Sequence, residues 1–409
     1  MDTMSESYRP DLSGAVLETP TAAKPSQARP RLDSIDWLRG LIMVIMALDH
    51  ARDFLAAGAF DPRDVTNAPL FLTRWITHFC APTFVFLAGA SAYLYGAKGR
   101  SRAQLSRFLL TRGLWLVVLE LTLIRLVWAF TWRPDYFILQ VIWAIGISML
   151  ALSGLVYVPR PAVPAFAVVM IAGHNLLDRF PAETMGALGW AWMVLHQPGL
   201  ANIGGKLTLW VIYPVIPWIG VIAAGYSFGP ALRASPDVRR RWTLGLGIGL
   251  ICLFVVLRAS NLYGDPQRWS AQSTFLATML SFVNCAKYPP SLLYLCMTLG
   301  PALVLLHAAE RFKGRLVAVL VTFGRVPFLF YLAHVFLLHL IAVVWAQLHD
   351  GNSAWLFAIR PVASKPPEYG FSLPLTYLLW LIAVSILYPL CHWFAAVKQR
   401  RRDWWLSYL

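Results

Sequence analysis

The sequence predicts an all-α, polytopic membrane protein of about ten transmembrane helices with both termini cytoplasmic. Three observations predict it. Of 409 residues, 58% are hydrophobic and 13% charged, against about 25% charged in a soluble domain; such a chain could not solvate its own surface. Apolar runs of about twenty residues recur from Leu38 to Val397, the length that crosses a bilayer as a helix. Finally, 35 Lys and Arg outnumber 20 Asp and Glu, and the excess is clustered. Lys98 to Arg112, Arg233 to Arg241, Arg311 to Arg315 and Lys398 to Arg402 fall on one side when the spans alternate, the side that the positive-inside rule assigns to the cytoplasm. The net charge of +15 therefore reports topology rather than nucleic-acid binding.

Taken in order, spans are expected at roughly 38–58, 75–97, 108–130, 136–157, 162–178, 207–228, 242–260, 289–309, 326–347 and 373–397. Residues 1–30 are polar with four prolines and read as a disordered cytoplasmic tail; 31–398 form the helical domain and 399–409 a cytoplasmic C-terminal tail. The five cysteines, Cys80, Cys252, Cys285, Cys296 and Cys391, lack C-x-x-C spacing, so free, mostly buried thiols are expected and no metal.

The first span runs straight into Asp49, His50, Arg52 and Asp53. On a helix Asp49, His50 and Asp53 fall within about one 100° sector, with Arg52 on the other flank. A carboxylate beside an imidazole can orient it and stabilise its protonated form, so Asp49 or Asp53 with His50 reads as a general base or an acyl-accepting nucleophile. The second span opens with Arg74 and His78 at the same level, where His78 is either a second functional histidine or an interfacial one bonded to a backbone carbonyl. Its run Ala88, Gly89, Ala90, Ser91, Ala92 suits close helix packing. Glu120 and Arg125 in the third span are costly at membrane depth and call for partners on neighbouring helices or a place on a substrate pathway.

The loop after the fifth span carries His174, Asn175, Asp178, Glu183 and His196 with Trp190 and Trp192; such aromatics anchor at the interface or stack on a sugar. Pro214 and Pro217 are expected to kink the sixth helix. Gly245, Gly247 and Gly249 follow no strand and suit helix packing rather than phosphate binding. Pro289 and Pro290 suit a first helical turn whose free N–H groups, beside Lys287, could hold an anionic or polarised group; a snorkelling lysine is the alternative. Gly324, Arg325 and Pro327 punctuate an apolar run too long for one span, so a helix should restart there. Its N-terminus with Arg325 would form a cytoplasmic anion site, and His334 would lie about 10 Å further in.

Three motifs, RLDSIDWLRGL at the first helix, FCAPTFVFLAG in the second and GRVPFLFYLAH in the ninth, resemble those of bacterial membrane proteins related to heparan-alpha-glucosaminide N-acetyltransferase. The resemblance implies transfer of acetyl from cytoplasmic acetyl-CoA to the amino group of a terminal glucosamine across the membrane. The family's enzyme uses a histidine in the outer loop after the first helix, whereas the loop from Ala51 to Thr77 has none. By order and side, His50 stands where that enzyme has an asparagine and His78 where it has an aspartate; His334 matches a histidine of the ninth-helix motif.

The expectation is therefore an inner-membrane acyltransferase of bacterial type with His50, Asp49, Asp53 and His78 catalytic. Lys287, His334 and Arg52 would contact the acceptor, and Arg325 and Arg39 the phosphates of acetyl-CoA. The acceptor would be an amino sugar or glycan, the surroundings a lipid bilayer, and a homodimer is left open. The alternatives are a proton-coupled secondary transporter, which would use the same intramembrane charges and broken helices, and an assembly protein whose polar residues only set helix register.

Overall fold

The computed structural model describes residues 32–58, 61, 63–401, 403 and 406; the expected 1–30 tail and part of the 399–409 tail lie outside them. Everything below belongs to one unit, Asp33–Leu409. Its first helix, α1 (Asp33–Leu55), opens with Asp33 and Asp36 and closes with Arg52, charges that suit the two ends of the helix dipole. A loop leads to α2 (Ala68–Thr77), capped by the Asn67 side chain, which accepts from Leu70 N, and α3 (Cys80–Gly96) continues it past His78. Ser101 and Gln104 form a reciprocal capping box on α4 (Arg102–Leu119). A π-helical turn at Glu120–Ile124 and a short α5 (Arg125–Ala129) extend that helix.

The chain then forms β1 (Tyr136–Leu139), α6 (Val141–Leu155) and α7 (Ala162–Gly173), followed by 3-10 turns, α8 (Gly189–Leu195), β2 (Gly199–Ile203) and β3 (Leu207–Val211). The remaining helices are α9 (Val215–Arg233), α10 (Pro236–Ser260), α11 (Phe275–Val283), α12 (Leu292–Ala309), α13 (Arg315–Arg325), α14 (Pro327–His349) and α15 (Leu373–Arg400). A helical stretch occupies each of the ten expected places, and six are long and apolar enough to cross a membrane: 68–96, α9, α10, α12, α14 and α15. The chain is thus a mostly helical, multi-pass membrane protein. In α12 the most apolar window is 72% buried, against 22% in α10 and 17% in α15, so α12 is a core helix and the other two turn apolar side chains such as Val256 and Trp393 outward.

Reciprocal glycines explain which helices pair. A Cβ on Gly89 would overlap the Ile222 carbonyl oxygen and one on Gly225 that of Phe86, which locks α3 against α9. Gly40 and Gly324 do the same for α1 and α13, against Leu320 and Asp36. Between α4 and α6 a Cβ on Gly113 would lie 2.7 Å from Gly146 O, and between α10 and α12 one on Gly247 would lie 3.0 Å from Gly300 O. With no hydrophobic drive between helices in lipid, such close backbone approach is the main source of association.

Three details depart from the expected pattern. Two spans begin as strands: β3 pairs in parallel with β1 and antiparallel with β2, the hairpin turning at Gly204 and Gly205 with positive φ. The fold is therefore helical with a small sheet rather than all-α, because these short segments carry β-branched and aromatic residues flanking a Gly-Gly turn. Pro214 caps α9 and Pro217 sits in its first turn, so these prolines start the helix instead of kinking it. Similarly α12 starts after its Ser291 cap, beyond Pro289 and Pro290. The expected restart does occur: α13 ends at Arg325 and α14 begins at Pro327, with Val326 between them out of helical geometry.

Candidate functional site

Chemistry-bearing side chains gather at the C-terminal end of α1. Asp49 accepts from Thr77 Oγ1 at 2.9 Å, pairs with Arg52 Nη2 at 2.8 Å and lies 3.7 Å from Lys287 Nζ. Arg52 Nη2 also reaches Asp53 Oδ1 at 2.6 Å, while its buried Nη1 has no partner among the described residues. Arg74, from α2, joins the same field, its guanidinium opposed by Arg52 and attracted by Asp49. Lys365 donates to Asp53 O at 3.2 Å and Ala56 O at 2.9 Å, where terminal helix carbonyls need donors. Burial pushes the Lys365 ammonium below its ordinary value against the pull of Asp53. Two carboxylates thus sit among four cations.

His50 lies in the field of Asp49, Asp53, Lys287 and Arg52 but makes its hydrogen bond elsewhere. Its Nδ1 lies 2.7 Å from Nε2 of His334, and His334 Nδ1 lies 2.6 Å from Phe330 O. Trp128 and Tyr331 meet the His50 ring edge-on, with centroids 4.8 Å and 6.1 Å away, and Trp128 Nε1 donates to Tyr331 Oη at 3.0 Å. The expected orientation of the imidazole by Asp49 or Asp53 is replaced by a histidine pair. The reason is helical: adjacent residues point about 100° apart, so Asp49 faces α2 while His50 faces α14.

His78 is fully buried against the Tyr294 ring, 5.3 Å between centroids, and its carbonyl accepts from Tyr294 Oη at 2.8 Å. Neither ring nitrogen has a partner among the described residues, a costly state for a buried polar group. It shares the field of Lys287, Arg74 and Asp49. The N–H groups expected to be free at α12 are taken: Leu292 N donates to Asn175 Oδ1, Leu293 N to Gly264 O and Tyr294 N to Ser291 Oγ. Lys287 therefore faces Asp49 rather than a helix-end anion site.

At the other end of α1, Arg39 donates to Asp36 Oδ1 at 3.1 Å, Gly324 O at 3.3 Å and Ser91 Oγ at 3.1 Å, tying α1, α3 and α13 together. Arg325 is next along α13, 3.3 Å from Asp33 Oδ1, and its buried Nε has no partner among the described residues. The α13–α14 joint thus brings Arg39 and Arg325 together, about 16 Å along the α1 axis from His50. Glu120 and Arg125 do not pair: Glu120 Oε2 accepts from Trp143 N at 3.0 Å, capping α6, and Arg125 lies over the Trp132 and Phe137 rings at 5.0 and 5.1 Å.

Among the loops, Asp178 accepts from Asn175 Nδ2 at 3.0 Å and sits 2.9 Å from His196 Nε2. Together with the Asn175 cap on α12 this makes a structural clasp. An open cleft beside it is lined by Glu183, Trp190, Met193 and Asn202. All five cysteines are free, four of them buried, and among the described residues no group of three His, Cys, Asp or Glu is placed to hold a metal.

Sequence reasoning missed Thr77, Trp128 and Lys365. Tyr331 lies one turn before His334, an i, i+3 spacing that the sequence itself carries; Trp128 and Lys365 carry no such signal. A family model described as heparan-alpha-glucosaminide N-acetyltransferase, catalytic, matches residues 31–257, more than half of the chain. No curated protein matches it.

Proposed function

Because the chain belongs to the heparan-alpha-glucosaminide N-acetyltransferase catalytic-domain family, a family of membrane acetyltransferases, we propose that it moves an acetyl group from cytoplasmic acetyl-CoA to an amino sugar or glycan on the outer side of a bacterial inner membrane. In this reading about ten spans place both termini in the cytoplasm, and the C-terminal end of α1 faces outward. The cosubstrate's phosphates meet the α13–α14 joint. The unpartnered Arg325 Nε and the first turn of α14 fit an anion there, with Arg39 holding the joint in shape. An extended pantetheine arm covers the distance to His50.

The observation that carries the reading is the His50–His334 pair beside the Asp49–Arg52–Lys287 cluster. His50 removes the proton from the acceptor amine or hydroxyl as it attacks the thioester, or takes the acetyl group itself. Lys287 and His78, whose ring nitrogens are unpartnered, stabilise the oxyanion of the tetrahedral intermediate. Asp49 and Asp53 hold Lys287 and Arg52 in place for that charge and for the acceptor.

The test is CoA release from acetyl-CoA by purified protein in nanodiscs, with and without a panel of amino sugars, for the native chain and His50→Ala. Acceptor-stimulated release that disappears in the variant, with acetyl-CoA binding retained, is the expected result. Full activity in His50→Ala would remove His50 from the mechanism. No release with any acceptor, from protein that also fails to bind acetyl-CoA, would overturn the enzyme reading and turn attention to transport.

A further inference from the structure

We infer that His334 is the positioning residue that fixes His50 in the tautomer protonated at Nδ1, so that Nε2 of His50 is the reacting atom. The part concerning reaction rests on the acetyltransferase reading; the tautomer stands on geometry alone. A backbone carbonyl can only accept, so the 2.6 Å contact with Phe330 O puts a proton on His334 Nδ1. A neutral His334 then has a lone pair on Nε2. Across 2.7 Å, that lone pair must receive a hydrogen bond, and His50 Nδ1 must supply it. A neutral His50 with its proton on Nδ1 has its lone pair on Nε2.

The opposite assignment needs a doubly protonated His334. That ring is fully buried, packs against the Phe330, Tyr331 and His50 rings, and among the described residues has hydrogen bonds only to His50 and Phe330 O, with no ion pair to a carboxylate. A lone buried imidazolium would cost several kcal/mol. The Trp128 and Tyr331 rings pack edge-on against His50, with centroids 4.8 Å and 6.1 Å away. The pair also ends at Phe330 O, so no proton continues along it; a proton taken up at His50 Nε2 must leave from Nε2.

This defines the transfer. As a base, Nε2 takes the acceptor's proton while the acceptor–carbonyl bond forms. The C–S bond breaks with its electron pair on sulfur, and Nε2 passes the proton to the thiolate. As a nucleophile, Nε2 bonds to the carbonyl carbon and the thiolate leaves. The acylated ring keeps its Nδ1–H on His334 and so remains an activated acylimidazolium. Attack by the acceptor then breaks the C–Nε2 bond, and the acceptor's proton goes to the thiolate.

The tautomer is read directly by ¹⁵N NMR of histidine-labelled protein in nanodiscs, with the His50 signals assigned by difference against His50→Gln. Protonated Nδ1 and bare Nε2 are expected at His50, and a mixture of tautomers in His334→Phe. In the CoA-release assay His334→Phe should lose about 100-fold in kcat, with the KM for acetyl-CoA changed by less than about twofold. His334→Gln, whose Oε1 can accept from His50 Nδ1, should recover at least about tenfold of that loss. A protonated Nε2 at His50 in the native chain, or an undiminished kcat in His334→Phe, overturns the inference while leaving an acetyltransferase in place. Absence of transfer with every acceptor, from protein that also fails to bind acetyl-CoA, overturns the reactive-atom claim together with the proposed function, and the NMR spectrum then decides the tautomer separately.

Discussion

At the scale of single residues, Asp49 and His50 show how neighbours in sequence part company in chemistry. Asp49 serves Thr77, Arg52 and Lys287, whereas His50 serves His334. Asp49→Asn would take from Lys287 the carboxylate it faces and leave Arg52 with Asp53 alone, and breaking a buried pair from one side is the expensive way to do it. The expected loss is about 3 kcal/mol, read as a lower melting temperature in detergent, against about 1 to 2 kcal/mol for Thr77→Val, which removes one hydrogen bond to the same carboxylate. An Asp49→Asn protein as stable as the native one would show that the cluster is not electrostatically coupled. Lys365 gives a pH-dependent case. Its folded pKa is depressed by burial, so between that value and the ordinary one the unfolded chain binds more protons. Stability should therefore rise with pH across that window, up to the ordinary lysine value of about 10.4. The rise should vanish in Lys365→Met, and a melting curve series from neutral to alkaline pH in both proteins measures the difference.

At the scale of elements, the helix crossings discriminate between glycines that look alike in sequence. Gly247 faces Gly300 across the α10–α12 contact, whereas nothing lies within 4 Å of a Cβ on Gly245 or Gly249. Gly247→Leu should destabilise by about 1 to 3 kcal/mol or more through overpacking, and Gly245→Leu and Gly249→Leu should be tolerated. Thermal melts and size-exclusion profiles of the three variants test this; equal effects would mean that the crossing does not depend on close approach. Arg258, almost fully buried near the end of α10, donates to the carbonyls of Gln267, Ser281, Phe282 and Asn284. It holds the segment that leads to Lys287. Arg258→Met fills much of the volume yet removes the guanidinium donors from four carbonyls, of which Ser281 O keeps the Asn284 N–H. It should lower the melting temperature and, by loosening that segment, reduce acceptor-dependent CoA release more than acetyl-CoA binding.

At the scale of the whole molecule, the proposed topology makes one clear prediction. In a chain with its five cysteines replaced, a cysteine at Asp64 should react with an impermeant thiol reagent from outside intact cells. One at Ser101 should react only after the membrane is opened. Labelling of both positions from the same side would break the alternation on which the expected sides rest. The same alternation requires the His50 cluster and the Arg39–Arg325 joint to meet opposite aqueous phases. That separation is what transfer across a membrane asks of the fold.

The places of the helices were legible in the amino-acid sequence because hydropathy, charge clusters and helix breakers act locally. Apolar length finds a helix, Pro327 restarts one, and Asn67 or Ser101 caps one without help from distant residues. The family was legible for a related reason, since the first motif is a contiguous stretch of polar and apolar side chains on one helix. His50 could be singled out by its oddity at a helix end, and His334 by its motif. What lay beyond the sequence was which groups touch. His50 and His334 are 284 residues apart, and their contact depends on how α1 crosses the α13–α14 joint through Gly40 and Gly324. Spacing along one helix pointed instead to Asp49 and Asp53. Only tertiary packing could set the azimuth of α1, and with it turn the carboxylates toward the cations of α2 and the loops and the imidazole toward a second histidine. Local sequence determines where a helix lies along the chain; its rotation about its own axis is decided by every helix packed against it.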